Sequence, residues 1–100
     1  MKWIELIRVR SSEEMLRTAL PELEEQVEGI ATATANAETF ILQHALYEGD
    51  LAVAIVWRTD TKPAKSREGL LVAIGLQGLG AIDHAVWLPI EQLTTKEQTP

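Results

Sequence analysis

Read at a period of two, residues 2–10, KWIELIRVR, divide their apolar positions between two faces. This puts Trp3, Glu5, Ile7 and Val9 on one face and Ile4, Leu6, Arg8 and Arg10 on the other. β-branched and aromatic residues dominate, so a strand is predicted. The period then changes. Met15, Leu16, Ala19, Leu20, Leu23 and Val27 recur at helical spacing, with Glu13, Glu14, Glu22, Glu24, Glu25 and Glu28 on the opposite, wet side. Ser11 stands three residues before Glu14, the spacing of a capping box that opens a helix. Pro21 predicts a kink or a short break, because it removes one helix hydrogen bond. Gly29 is the expected stop, and the small residues 30–37 are expected to connect to the next strand.

Two strand-like runs follow, Phe40–Tyr47 and Leu51–Arg58, with Gly49-Asp50 between them as a hairpin signal. A two-residue loop there sets Leu46 opposite Val53, His44 opposite Ile55 and Leu42 opposite Trp57. Both faces of this hairpin are largely apolar, so both are expected to be covered. Residues 59–66 are polar, contain Pro63 and read as a surface loop. The run from Ser66 to Gly80 fits either a helix or a buried strand; its length and its Ser66 cap favour the helix, closed at Gly78 or Gly80. Asp83–Ile90 is the last expected strand, with Pro89 near its end, and residues 91–100 form a polar tail.

The order is β-α-β-β-α-β. It predicts one α+β domain over residues 1–90, a ferredoxin-like sandwich with a four-stranded antiparallel sheet. Both helices then cover one face of the sheet and leave an apolar face bare. So large an exposed patch is unusual on a small monomer. A second copy packed sheet to sheet covers it, so a homodimer is expected.

Composition narrows the function. The 100 residues carry 15 acidic and 9 basic side chains, a formal charge of −6, with no basic stripe for nucleic acid. The same sign disfavours anionic membrane surfaces. The longest uncharged stretch, Gly69 to Ile82, is 14 residues, too short to span a bilayer. The start, Met1-Lys2-Trp3-Ile4-Glu5, has no apolar signal region, so a cytoplasmic location is expected. Zero cysteines excludes disulfides and thiolate sites. Two histidines without a metal-binding spacing argue against a bound metal. Gly75 to Gly80 reads GLQGLG, which matches neither phosphate-binding glycine pattern.

Trp57 at the close of the third strand and Asp83-His84-Ala85-Val86-Trp87 in the last resemble the antibiotic-biosynthesis-monooxygenase-like proteins. His44-Ala45-Leu46-Tyr47 and Gly80-Ala81-Ile82-Asp83-His84 look like an uncharacterised bacterial branch of that superfamily. The resemblance covers residues 2–90 and implies a dimeric α+β barrel. It implies two activities: oxidation of polycyclic phenols by oxygen with no metal or flavin, or haem binding and degradation. The haem-degrading members use a histidine on the second helix, and this chain has none between Ser66 and Ala81. Trp57 matches the family tryptophan by its place.

His44 and His84 are the candidate catalytic residues, since an imidazole can orient a phenol or take its proton. His44 is expected on the face of Leu42, Leu46, Val53, Ile55 and Trp57, where a core histidine with one hydrogen bond is the plainer alternative. Asp83 and His84, being strand neighbours, point to opposite faces and form no dyad. Trp57, Trp87, Tyr47 and Arg8 are the candidate ligand-binding residues: aromatic rings can wall a cavity and an arginine can grip an anion. They can equally fill a dimer core or snorkel at a strand end. The sequence thus supports a small-molecule-binding dimeric barrel, with cofactor-independent monooxygenation as one activity. The alternative is a non-enzymatic structural or binding module.

Overall fold

The structure, a computed structural model, describes residues 2–90. The polar tail expected over residues 91–100 lies outside the described residues. The elements are β1 (Lys2–Arg10), α1 (Glu13–Ala33), β2 (Ala37–Gln43), β3 (Asp50–Arg58), α2 (Arg67–Leu76) and β4 (Ala81–Trp87). The strands form one antiparallel sheet in the order β2-β3-β1-β4, so consecutive β2 and β3 are neighbours and β1 lies between β3 and β4. This is the ferredoxin-like α+β arrangement.

The two faces read for β1 are realised. Trp3, Glu5, Ile7 and Val9 point inward to the helices. There they join Leu51, Val53, Ile55 and Trp57 of β3, Leu16, Leu23 and Val27 of α1, and Val72 and Leu76 of α2. Ile4, Leu6 and Arg8 lie on the outer face, with Phe40, Leu42, Ala54, Val56, Ala85 and Trp87. The middle of that face is apolar, with Phe40, Leu42 and Trp87 exposed on it, while Arg8, Arg10, Glu38, Asp50, Arg58 and Asp83 stand on the same face toward the strand ends.

Three local expectations change. Ser12, not Ser11, caps α1, its side chain accepting from the Met15 N–H at 3.2 Å. The helix runs unbroken through Pro21 and past Gly29 to Ala33. β4 begins at Ala81, two residues early, and ends before Pro89.

The hairpin differs more. β2 stops at Gln43, and His44–Gly49 form a longer loop. Gln43 opposes Leu51, Leu42 opposes Ala52 and Ile41 opposes Val53. Relative to the expected register the pairing slips by an odd number of residues, so Ile41 rather than Leu42 faces the core. The reason lies outside the hairpin. Gly49 is pressed onto the chain at Ser11–Ser12, where a Cβ would overlap the Ser11 carbonyl. Its own carbonyl accepts from the Ser11 N–H at 2.7 Å. Asp50, expected in the turn, is buried and starts β3 opposite Arg10, 3.7 Å from the Arg10 guanidinium and 3.5 Å from that of Arg8. No glycine among the described residues adopts the left-handed backbone that a two-residue Gly-Asp turn needs.

Candidate functional site

The inner face of the sheet carries polar Thr39 and Gln43 on its edge strand β2, and deeper in it holds one buried carboxyl. Glu5, midway along β1, is fully buried. A carboxyl there needs partners, because an unpaired buried charge is costly. Four reach it. Trp57 Nε1 donates to Oε1 at 3.1 Å, and Ser66 Oγ donates to the same oxygen at 2.6 Å. The Ser66 backbone N–H donates to Oε2 at 3.0 Å, and His84 Nε2 lies 2.5 Å from Oε2.

Each partner is placed by a different element. Trp57 ends β3, and its ring stacks on Trp3 with centroids 5.6 Å apart. His84 opposes Ile7, which fixes its side chain on the inner face of the edge strand β4. Ser66 caps α2; its Oγ accepts from the Gly69 N–H at 2.9 Å, which frees the hydroxyl proton for Glu5. The Glu5 carboxyl therefore sits at the N-terminus of α2, where helix dipole and free N–H groups favour negative charge. Gly69 makes room for it: a Cβ at that position would overlap the carboxyl.

His84 is the functional candidate that joins this cluster together with Trp57. The other four lie apart. Arg8 and Trp87 are on the outer face, at register positions opposite Ala52 and Ile4. His44 and Tyr47 are in the exposed hairpin loop, where their rings meet at 4.8 Å. The expectation that His44 sits mid-strand beside Trp57 is thus corrected: the register slip moves it out of the sheet. Its Nδ1 accepts from the backbone N–H groups of Leu46 and Tyr47 at 3.0 and 3.3 Å, so it braces the loop.

Sequence reasoning did not single out Glu5. The available signal was a carboxylate in an inward position between Trp3 and Ile7. Its partners lie 52, 61 and 79 residues away, and no local pattern announces them.

Two grooves lie elsewhere. One of about 570 Å³ runs between α1 and the β2–β3 hairpin, floored by Leu16, Leu20, Ile41 and Leu51 and edged by Glu13, Arg17 and Glu48. A hydrogen bond between the Glu13 and Glu48 carboxyls holds Glu13 below its usual range and pushes Glu48 above its own; Arg17 adds to the lowering of Glu13. The other, about 600 Å³, lies under Leu46 and Tyr47 beside Arg10 and Asp50. Neither touches Trp57 or His84. Among the described residues there is no cluster of three or more side chains suited to a metal ion, and no helix is long and apolar enough to cross a membrane.

No protein-family model matches the chain. No curated protein matches it by sequence. Solved structures do match its shape. Rv0793 from Mycobacterium tuberculosis aligns with a TM-score of 0.64 at 14% identity, over 89% of this chain and 95% of that one. A proposed antibiotic biosynthesis monooxygenase from Nitrosomonas europaea gives 0.59 at 8% identity, over 89% and 90%. A mutant of SnoaB, a cofactor-independent oxygenase from Streptomyces nogalater, gives 0.55 at 10% identity, over 88% and 92%. The chain shares the fold of these solved structures, the α+β fold that its β-α-β-β-α-β order led us to expect.

Proposed function

We propose that the chain works as a homodimer joined through its outer sheet faces, and that its inner face carries out cofactor-independent oxygenation of a small aromatic compound. One observation carries the catalytic part. Glu5 and His84 are the only ionisable side chains on the inner face of the described strands, and they meet at 2.5 Å beside Trp57. A buried, largely apolar sheet face gains no stability from such a pair, since well-packed apolar residues usually serve as well. Proton handling is a use that matches its chemistry. The fold shared with SnoaB, itself a cofactor-independent oxygenase, supports the same class of reaction. In that class one oxygen atom of O₂ enters the substrate, the other leaves as water, and the substrate supplies both electrons and both hydrogens. The dimer is supported by the exposed Phe40, Leu42 and Trp87 on the outer face.

A second reading is a purely structural module. It is favoured by the stacking of Trp57 on Trp3, which fills the inner face where a ligand cavity is needed. Oxygen uptake separates the two. Purified protein, with a chelator present and no added flavin, is mixed with a panel of polycyclic phenols, and its mass is followed by light scattering. Uptake above the protein-free rate with quinone formation, at twice the 11.1 kDa chain mass, is expected. Uptake equal to the protein-free rate across the panel leaves the structural module.

A further inference from the structure

We propose that the groove between α1 and the β2–β3 hairpin binds a small primary amine with an apolar body. The ammonium group sits between the Glu13 and Glu48 carboxyls, and the body lies on Leu16, Leu20, Ile41 and Leu51. The inference is independent of the oxygenase reading, since neither Trp57 nor His84 lines this groove.

The floor sets the body. Leu16 and Leu51 belong to the core, while Leu20 and Ile41 are only half-buried and line the groove with apolar surface that the chain does not cover. Its volume of about 570 Å³ falls within the span of small-molecule sites, roughly 300–1,000 Å³. A stable protein partner needs a much broader surface, about 800 Å² on each side.

The rim sets the charge. It carries the carboxyls of Glu13, Glu24 and Glu48 against one cation, Arg17. Arg17 is already committed to Glu13, at 2.5 Å. Glu48 forms no salt bridge with a basic side chain among the described residues. Its carboxyl meets that of Glu13 instead, although one stands on α1 and the other in the hairpin loop. The loop is fixed in that place. The Gln43 side-chain amide donates to the Glu48 carbonyl at 3.2 Å, and the Gly49 carbonyl accepts from the Ser11 N–H at 2.7 Å.

Two carboxyls so held repel once both are ionised, and a proton or a cation between them relieves the repulsion. An ammonium group does this with a full charge and three N–H donors, enough to serve both carboxyls at once. A hard metal ion fits poorly, because it seeks roughly six oxygens and the floor is aliphatic. Where the pair still holds its proton, that proton leaves to solvent as the N–H contacts form. Affinity therefore rises as Glu48 ionises. The other charged groups near Glu48 are Glu13, Arg17 and Glu24 on α1 and, beneath the loop, Arg10 and Asp50, which pair with each other at 3.7 Å.

Phenylethylamine is the probe. Methyl NMR of the full chain locates it, and calorimetry measures its affinity. Saturable shifts are expected at Leu16, Leu20, Ile41 and Leu51. Ethylamine keeps the ammonium without the ring and should bind more than about tenfold more weakly. Phenylpropionate keeps the ring with the opposite charge and should also lose more than about tenfold. Glu48→Gln should weaken phenylethylamine about fivefold, the upper range for a solvent-accessible ion pair, and leave the neutral phenylethanol unchanged. No saturable shift at millimolar amine, equal affinity for the amine and the acid, or binding unaltered by Glu48→Gln overturns the proposal. So do shifts centred on Trp57 and His84, or an affinity that stays flat as Glu48 titrates. A short lysine peptide that matches phenylethylamine in affinity gives the groove to a protein partner and overturns the small-molecule assignment.

Discussion

Gly69→Ala is the sharpest test of the buried Glu5 cluster. Gly69 lies in the first turn of α2, so by helix propensity alone alanine should stabilise, by about 1 kcal/mol. The structure reverses that sign. The added methyl would occupy the space of the Glu5 carboxyl. A flexible carboxyl on the surface would swing aside at little cost. This one is fully buried and tied by Trp57, Ser66 and His84. Moving it breaks at least the two contacts to Oε2, from the Ser66 N–H and from His84. Hydrogen bonds to a charged group contribute roughly 1.5–3 kcal/mol each. Two of them, less the propensity gain, leave a net loss of about 2–5 kcal/mol. For a chain of this size that lowers Tm by roughly 10–30 °C. The assay is urea and thermal unfolding followed by circular dichroism. The partner variant Glu5→Asp withdraws the carboxyl by one methylene, so Glu5→Asp with Gly69→Ala should be less destabilised than the two single losses added together. A Gly69→Ala protein as stable as the wild type, or strict additivity in the double variant, refutes the packing of glycine against this carboxyl.

Phe40→Lys should weaken the proposed dimer. The ring is 43% exposed, which for a phenylalanine leaves about 80–90 Å² to be covered. At about 25 cal/mol per Å² that is about 2 kcal/mol per subunit, hence about a thousandfold in the dissociation constant of a two-fold dimer. Sedimentation showing an unchanged constant rejects Phe40 as an interface residue. Trp3→Phe and Trp57→Phe remove the same volume from one stacked pair, but only Trp57 loses a hydrogen bond, since the Trp3 N–H is buried without a partner. Trp57→Phe should therefore cost about 2–3 kcal/mol more by urea unfolding; equal losses contradict the hydrogen-bond assignment. Glu48→Gln should raise Tm near neutral pH and leave it unchanged near pH 4. The raised Glu48 stabilises the fold only while protonated and loses that contribution as pH rises through its raised value, where it then repels Glu13. Glu13, lowered, contributes at higher pH and loses that contribution as pH falls. A Tm gain that is the same at both pH values contradicts the coupling.

A run of β-branched and aromatic residues made β1 legible as a strand, and helical spacing made α1 legible because its apolar residues share one face and its glutamates the other. The hairpin was not legible for the converse reason. Phe40, Ile41 and Leu42 are all apolar, as are Leu46 and Tyr47, so parity does not mark which residues turn inward. The register is set by Gly49 against Ser11 and by Asp50 against Arg8 and Arg10, contacts with a strand forty residues earlier in the chain. His44 was misplaced with the hairpin. Gly29 misled for a simpler reason: a Cβ added there would meet nothing within 4 Å, so no close approach calls for a glycine, and the helix runs on through Ala33. The inward position of Glu5 could be read from β1. That His84 would share its face could not, because the two strands join only through the sheet and their relative parity is a matter of register.

The two faces of the sheet are coupled through that parity. Odd residues of β1 carry the Glu5 cluster and even ones carry Ile4 and Leu6 of the outer face. In β4 the order is reversed, with His84 inward and Trp87 outward. A slip of β4 by one residue would carry His84 to the outer face and Trp87 to the inner, so anything that holds Trp87 outward also holds His84 over Glu5. β4 is an edge strand with one neighbour, and its grip on the sheet comes from β1 alone on that side. Covering the outer face with a second copy would bury Trp87 and make the slip costly. On this view assembly does more than hide apolar surface: it fixes the imidazole in register against the carboxyl, and loss of the dimer should loosen His84 before it loosens Trp57, which is anchored in β3 between two paired strands.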